Sequence, residues 1–257
     1  MSATIVPATI MKVVATYSIK GGVGKTTAAV NLGYEAARSG ARVLLWDLDP
    51  QGAATFFFRV KPGFRGGAER LIGRNGDLAE HIKQSDLTGL DLLPADFSLR
   101  HLDLRLDEVS HSTRRLTDLL EPLDGHYDVT ILDCPPGISL TSEAVFRSAD
   151  ALLVPTIPTT LSVRTLDQLA EFLATADSAP VILPFVSMLD RRKSLHRELL
   201  YRLATGQPAF LPTSIPNASA IERMGLQRAP VGEFAPRTAA AKAFADLWGD
   251  VAGRLWC

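Results

Sequence analysis

Cysteine is nearly absent from this sequence: two thiols, Cys134 and Cys257, in 257 residues. Two are too few for a disulfide framework, and such sparsity suits a reducing cytosol. An excess of either charge is missing too. Lys and Arg total 27 against 28 Asp and Glu, a formal net charge of −1. The molecule as a whole therefore attracts no polyanion, and any basic surface has to be local. No apolar run reaches the roughly 18 residues that a membrane-crossing helix needs. Met1 to Met11 lack a basic region ahead of an apolar stretch, so they do not read as a secretory leader and are expected to form a short N-terminal arm (residues 1–11). No internal repeat or low-complexity tract stands out. What is present is a hydrophobic content of 46%, enough for one large core. A single domain over residues 1–257 is the expectation.

Short apolar runs alternate with helical segments along the chain. This predicts an α/β fold: a mostly parallel twisted sheet with helices on both faces. Strands are expected at 13–17, 43–46, 90–93, 129–132, 151–154 and 181–186. Pro184 places the last near an edge or at a bulge, because proline cannot donate to a ladder. Ala29, Leu32, Gly33, Ala36 and Ala37 fall at helical spacing and stop at Ser39-Gly40. The stretch from Arg59 to Asn75 is rich in glycine and arginine and reads as a surface loop, with room for a short helix. Phe244, Leu247, Trp248, Val251 and Leu255 share one face of a C-terminal helix that docks on the core. Its polar face mixes Lys242 and Arg254 with Asp246 and Asp250, unlike the basic face of a membrane-lying helix.

Lys20-Gly21-Gly22-Val23-Gly24-Lys25-Thr26-Thr27 follows the first strand and opens the first helix. In that setting glycines let the backbone curl into an anion nest, and the helix N-terminus adds its partial positive charge. Lys25 is placed for β- and γ-phosphates, the Thr26 hydroxyl for Mg²⁺, and Thr27 for an α-phosphate oxygen. The ordinary phosphate loop has glycine where Ile19 stands, and it lacks Lys20. This string resembles the deviant Walker A motif of the ParA/MinD family, K-G-G-x-G-K-T-T, and is closest in pattern to ParA/Soj-type partitioning ATPases. Two further segments strengthen the resemblance: Asp47-Leu-Asp49-Pro-Gln-Gly52, similar to the family's D-x-D-P-Q-G, and Asp133-Cys-Pro-Pro136, similar to its D-x-P-P.

The resemblance implies a P-loop ATPase that binds ATP and Mg²⁺ and hydrolyses ATP slowly under stimulation by a partner. It implies a homodimer closed face to face over two nucleotides, with Lys20 reaching across to the partner's phosphates and Gly21 and Gly22 small because two backbones meet there. It makes Lys20, Lys25 and Asp49 the catalytic set, Asp49 matching the residue that orients the attacking water. Asp47 alternates with Asp49, so the two point to opposite sides of the strand end; it is the weaker candidate, structural or Mg²⁺-linked. Asp133 ends an apolar strand on the Mg²⁺ side, acting through water, and Cys134 reads as a small buried residue. Pro216 and Asn217 match, by position only, the loop where the family packs adenine. In the residues from Arg191 to Arg202, five are basic and one, Glu198, is acidic. Arg191, Arg192, Lys193, Arg223 and Arg228 are candidate contacts to DNA phosphates, with Leu195, Leu199 and Leu203 as the buried stripe of that helix. The implied setting is cytoplasmic and nucleoid-associated, with a cargo-linked ParB-like activator and no membrane. Three readings of other classes stand beside it. A MinD-like membrane ATPase wants a basic amphipathic tail. A ligase of the same fold wants a second substrate motif. A tyrosine kinase wants a C-terminal tyrosine cluster, whereas the last tyrosine here is Tyr201.

Overall fold

The structure is a computed structural model that describes residues 10–73, 76–176, 179–203 and 208–256. Most of the expected N-terminal arm, Arg74, Asn75 and Cys257 lie outside those residues. Among the described residues, β1 (Lys12–Thr16), β2 (Val43–Asp47), β3 (Lys83–Gln84), β4 (Leu90–Leu93), β5 (Val129–Asp133), β6 (Ala151–Thr156) and β7 (Val181–Val186) form one sheet. Its order is β3-β4-β2-β5-β1-β6-β7, parallel throughout except for the β3–β4 pair. The helices are α1 (Lys25–Arg38), α2 (Ala53–Phe57), α3 (Gly67–Ile72), α4 (Leu102–Asp107), α5 (Arg115–Leu120), α6 (Leu140–Ser148), α7 (Thr160–Leu173), α8 (Ser194–Leu203), α9 (Ser219–Glu222), α10 (Met224–Gln227), α11 (Val231–Phe234) and α12 (Ala239–Leu255).

The central strands β2 and β5 are buried along their full length, which is why they read as continuous apolar runs rather than alternating ones. Two cores result, one per face. Val14, Leu45 and Ile131 meet Leu32, Phe244, Leu247 and Val251 on one side. Ala15, Trp46 and Leu132 meet Phe146, Leu166 and Leu169 on the other. The chain winds from β1 toward β4 and later returns past β1 to β6 and β7. The crevice at the carboxyl end of β1 is therefore the switch point where such sheets take their ligands.

The sequence-predicted strands appear within two residues of their expected ends. Pro184 lies in an edge strand, and its carbonyl accepts a hydrogen bond from the Leu211 amide at 2.7 Å. Two expectations need correction. Within the Arg59–Asn75 stretch, α3 carries Ala68, Leu71 and Ile72 into the core; six residues are too few for periodicity to betray a buried face. In α8 the inward positions fall to His196, Leu199 and Leu203, while Leu195 is exposed. His196 takes the inward place because its Nδ1 accepts the Asp190 amide N–H at 3.1 Å.

Candidate functional site

The loop between β1 and α1 turns on Gly22 (φ 71°) and Gly24 (φ 100°), both in the region closed to most side chains. Lys25 opens α1 and is buried, with its ammonium donating to the Lys20 carbonyl at 3.4 Å. Burial pushes its pKa down, while the charges of Asp133 and Asp49 pull it back up. Lys20 itself is exposed. A Cβ built on Gly21 meets nothing, and the same holds at Gly22. The loop is braced from two sides. The Ser187 hydroxyl, just past β7, donates to the Val23 carbonyl at 2.9 Å. On the other side the Gly137 amide donates to the Ile19 carbonyl at 3.1 Å, and the Tyr17 hydroxyl donates to the Gly137 carbonyl at 2.7 Å.

Three strand ends place the polar groups beneath this loop. Asp133 lies in register with Thr16 on one side and Asp47 on the other. Its Oδ1 accepts from the Thr16 hydroxyl at 3.3 Å. Asp47 Oδ2 accepts from the Thr55 amide at 2.8 Å and the Thr55 hydroxyl at 2.7 Å. Both carboxylates are fully buried, and each keeps one oxygen without a partner, Asp47 Oδ1 and Asp133 Oδ2. Burial lifts Asp47 to about 6 and Asp133 well above the usual carboxylate range; repulsion from Asp47 adds to the rise at Asp133, and the nearby Thr26 hydroxyl opposes it. Two orphaned carboxylate oxygens beside a threonine hydroxyl are hard donors of the kind Mg²⁺ takes, so the residues present fit that ion.

Asp49 stands apart from Asp47, but not by strand alternation. The strand ends at Asp47, and Asp49 sits in a tight turn where its Oδ1 accepts the Gln51 amide at 2.9 Å. Its charge raises both Asp47 and Asp133. Cys134 is buried, as expected of a small packing residue. Burial and the neighbouring Asp133 hold its thiol well above its ordinary pKa.

The Thr27 carbonyl accepts from the Asn31 side-chain amide at 2.7 Å within α1. Pro216 bridges to Leu189, and the Asn217 amide donates to the Leu189 carbonyl at 2.9 Å. This puts Asn217 on the surface one residue from Met188, whose side chain lies near Gly24. The two basic segments follow in the chain after Leu189 and after Pro216. Within them Arg191, Lys193 and Arg223 are exposed. Arg192 forks onto Asp190 at 2.9 and 3.0 Å, holding that carboxyl at about 2. Arg228 is half-buried against α2. Its guanidinium lies 4.5 Å from the Phe56 ring centroid, and its Nε donates to the Phe56 carbonyl at 3.1 Å. Motif reading missed Ser187, Thr55 and Tyr17. Of these, only Thr55 had a local signal, a hydroxyl three residues after the Gly52 turn.

A family described as AAA domain matches residues 11–180. The chromosome partitioning protein ParA of Caulobacter vibrioides is 34% identical over 148 residues, 56% of this chain. That stretch spans about half of the relative's length, 55%. The sporulation initiation inhibitor protein Soj of Bacillus subtilis is 29% identical over 248 residues, covering 94% of this chain and 98% of Soj. Among solved structures, cobyrinic acid a,c-diamide synthase from Mycobacterium smegmatis, with a bound ATP analogue and magnesium, superposes with a TM-score of 0.78 at 25% identity, covering 93% of each chain. Taken with the lysine-bearing phosphate loop and the paired carboxylates beneath it, these matches show that the chain belongs to the ParA/MinD family of deviant Walker A ATPases.

Proposed function

We propose that this chain is a ParA-like ATP hydrolase that uses Mg²⁺, closes as a homodimer when ATP is bound, binds DNA without sequence preference and so positions or segregates a cargo. The observation that carries this reading is the meeting, at the ends of β1, β2 and β5, of a two-lysine phosphate loop with two buried carboxylates that each keep a free oxygen. On this reading residues 1–257 work as one ATPase unit.

Amides of residues 21–25 and the Lys25 ammonium hold the β- and γ-phosphates. Mg²⁺, held by Thr26 and, through water, by Asp133, supplies neutralisation of the phosphate charge. Asp49 orients a water for attack on the γ-phosphorus; its P–O bond to the bridging oxygen breaks, and ADP and phosphate leave. Lys20, exposed at the rim, extends to the phosphates of the partner protomer. The open space at Gly21 and Gly22 fits close approach of a second phosphate loop. Adenine packs by Pro216 and Asn217. Arg191, Lys193 and Arg223 supply the phosphate contacts to DNA. Arg192 stays exposed while paired with Asp190 and can join them through its remaining N–H groups, and Arg228, half-engaged with Phe56, is the least available of the set. A cargo-bound, ParB-like partner accelerates an otherwise slow hydrolysis, and the protein shuttles between nucleoid and cytosol.

No described helix is long and apolar enough to cross a membrane. The likeness to a diamide synthase favours one second reading, a ligase that passes the γ-phosphate to a small acceptor. One experiment separates the two. ATP-loaded protein is titrated with salt on two unrelated duplexes of equal length, and turnover is measured with and without DNA. ATP-dependent, sequence-indifferent, salt-sensitive binding supports the partitioning reading. Absence of binding to either duplex refutes it.

A further inference from the structure

Arg228 is better placed for a task inside the molecule than for a surface contact. The turn that carries Asp49 runs through Gly52 into α2, and α2 is held at two points. Toward the nucleotide cleft, Thr55 gives its amide and hydroxyl to Asp47 and accepts the Ala95 amide at 2.8 Å. Away from the cleft, Phe56 gives its carbonyl and its ring to Arg228. Arg228 sits at the C-terminal end of α10 with φ 49°, a left-handed conformation uncommon for a non-glycine residue. That conformation turns its own carbonyl toward Arg59, two residues beyond the end of α2, and the Arg59 guanidinium donates to it. Arg59, also left-handed at φ 59°, pairs with Asp86 at 2.7 Å and reaches Glu233 at 3.6 Å. The grip is reciprocal: α2 accepts from Arg228, and the residue that leaves α2 donates to Arg228. Two non-glycine residues in left-handed backbone mark a contact that the surrounding structure enforces.

The clamp ties the Asp49 turn to the α9–α10 segment, whose middle residue is the exposed Arg223. Phe56 remains 47% exposed, so the contact lies on the surface and can be loosened without opening the core. We infer that the Phe56–Arg228–Arg59 clamp couples the nucleotide cleft to the α9–α10 surface, so that exchange of ADP for ATP at the phosphate loop changes the order of that surface. Arg228 is thus a positioning residue. The inference rests on the ATP-hydrolysing reading of the site and adds a route by which that site governs a distant face.

Amide hydrogen exchange tests it, comparing ADP–Mg²⁺ with a non-hydrolysable ATP analogue and Mg²⁺. In wild type the analogue is expected to change exchange at residues 22–27, at α2 and at residues 223–228. In Arg228→Ala the changes at 22–27 and α2 persist, and the difference between the two nucleotides at 223–228 is lost. Arg228→Lys, which keeps a cation over the ring but not the fork, restores part of it. Phe56→Leu removes the ring while keeping an apolar side chain, and serves as a second, milder break should the alanine variant unfold. A wild type that responds at 22–27 but not at 223–228 overturns the coupling. So does an Arg228→Ala protein whose α10 amides exchange faster in both nucleotide states with their ratio intact, the signature of a purely structural role. A wild type silent at 22–27 with either nucleotide instead defeats the ATPase reading itself.

Discussion

Replacing Asp47 by asparagine is expected to stabilise the nucleotide-free protein, and to do so more strongly as pH rises. Burial lifts this carboxyl from an ordinary 3.8 to about 6. Between those values the folded chain keeps a proton that the unfolded chain has released, so stability falls as pH climbs through the window. The window spans about two pH units at about 1.36 kcal/mol each, so the full penalty, reached above pH 6, is roughly 3 kcal/mol. Asparagine removes it at little cost. Its carbonyl can accept the two bonds that Thr55 now gives to Oδ2, and its amide brings donors beside the unpaired oxygen of Asp133 on the next strand. In a domain of this size the gain amounts to roughly 6–12 °C in Tm at pH 8. It should fall to about half at pH 5 and to about a fifth at pH 4. Thermal melts in chelator, followed by circular dichroism at pH 4, 5, 6.5 and 8, read it directly. Saturating Mg²⁺ with an ATP analogue should shrink the difference, since a cation relieves the same repulsion. A gain that ignores pH, or no gain at pH 8, would refute the reasoning.

Four further substitutions probe the remaining groups. Lys25→Ala is expected to weaken ATP–Mg²⁺ binding about a hundredfold or more, because a buried ammonium leaves the phosphate site; calorimetry showing near-normal affinity removes this lysine from its role. Gly21→Val finds open space within the protomer, so ATP binding should survive while the ATP-dependent dimer is lost; a stable dimer in sedimentation contradicts a face-to-face closure through this loop. Asp49→Ala should bind ATP and dimerise yet hydrolyse far more slowly, with unchanged turnover shifting the assignment to Asp47. Arg223→Glu should flatten the slope of log affinity for DNA against log salt by about one unit or more without altering ATP affinity; an unchanged slope takes Arg223 out of the DNA contact.

The sheet was legible because buried parallel strands carry unbroken apolar runs, as at Val43–Trp46 and Val129–Leu132, and because the glycine-lysine string could be fixed between a strand and a helix. The short elements were not. The stretch from 97 to 123 breaks into single turns such as α4 and α5, each shorter than the window in which a 3.6-residue period can be recognised. Strand β3 is two residues long and contains no hydrophobic residue. The role of Ser187 was hidden for another reason: it acts through a hydrogen bond set by a tertiary neighbour, Val23, and spacing along the chain does not encode it; Thr55, which bonds to Asp47 and the Ala95 amide, had only its place after the Gly52 turn as a signal. Arg192, forked onto Asp190, and Arg228, laid over the Phe56 ring, show the limit of counting charge. A sequence gives the sign of a side chain but not whether a carboxylate or an aromatic ring already occupies it.

The two margins of the sheet bear on what this molecule can become at high local concentration. At one margin β3 offers only Lys83 and Gln84, and the Lys83 ammonium is spent on the carbonyls of Lys61 and Gly63. At the other, β7 carries a proline that cannot donate, and its Pro184 and Val186 carbonyls are taken by the amides of Leu211 and Ile215. Neither rim presents a free ladder to a neighbouring chain, the usual template for cross-β aggregation. With both rims blunted, cross-β pairing between copies of this chain has no ready starting point at the margins described, even at high local concentration.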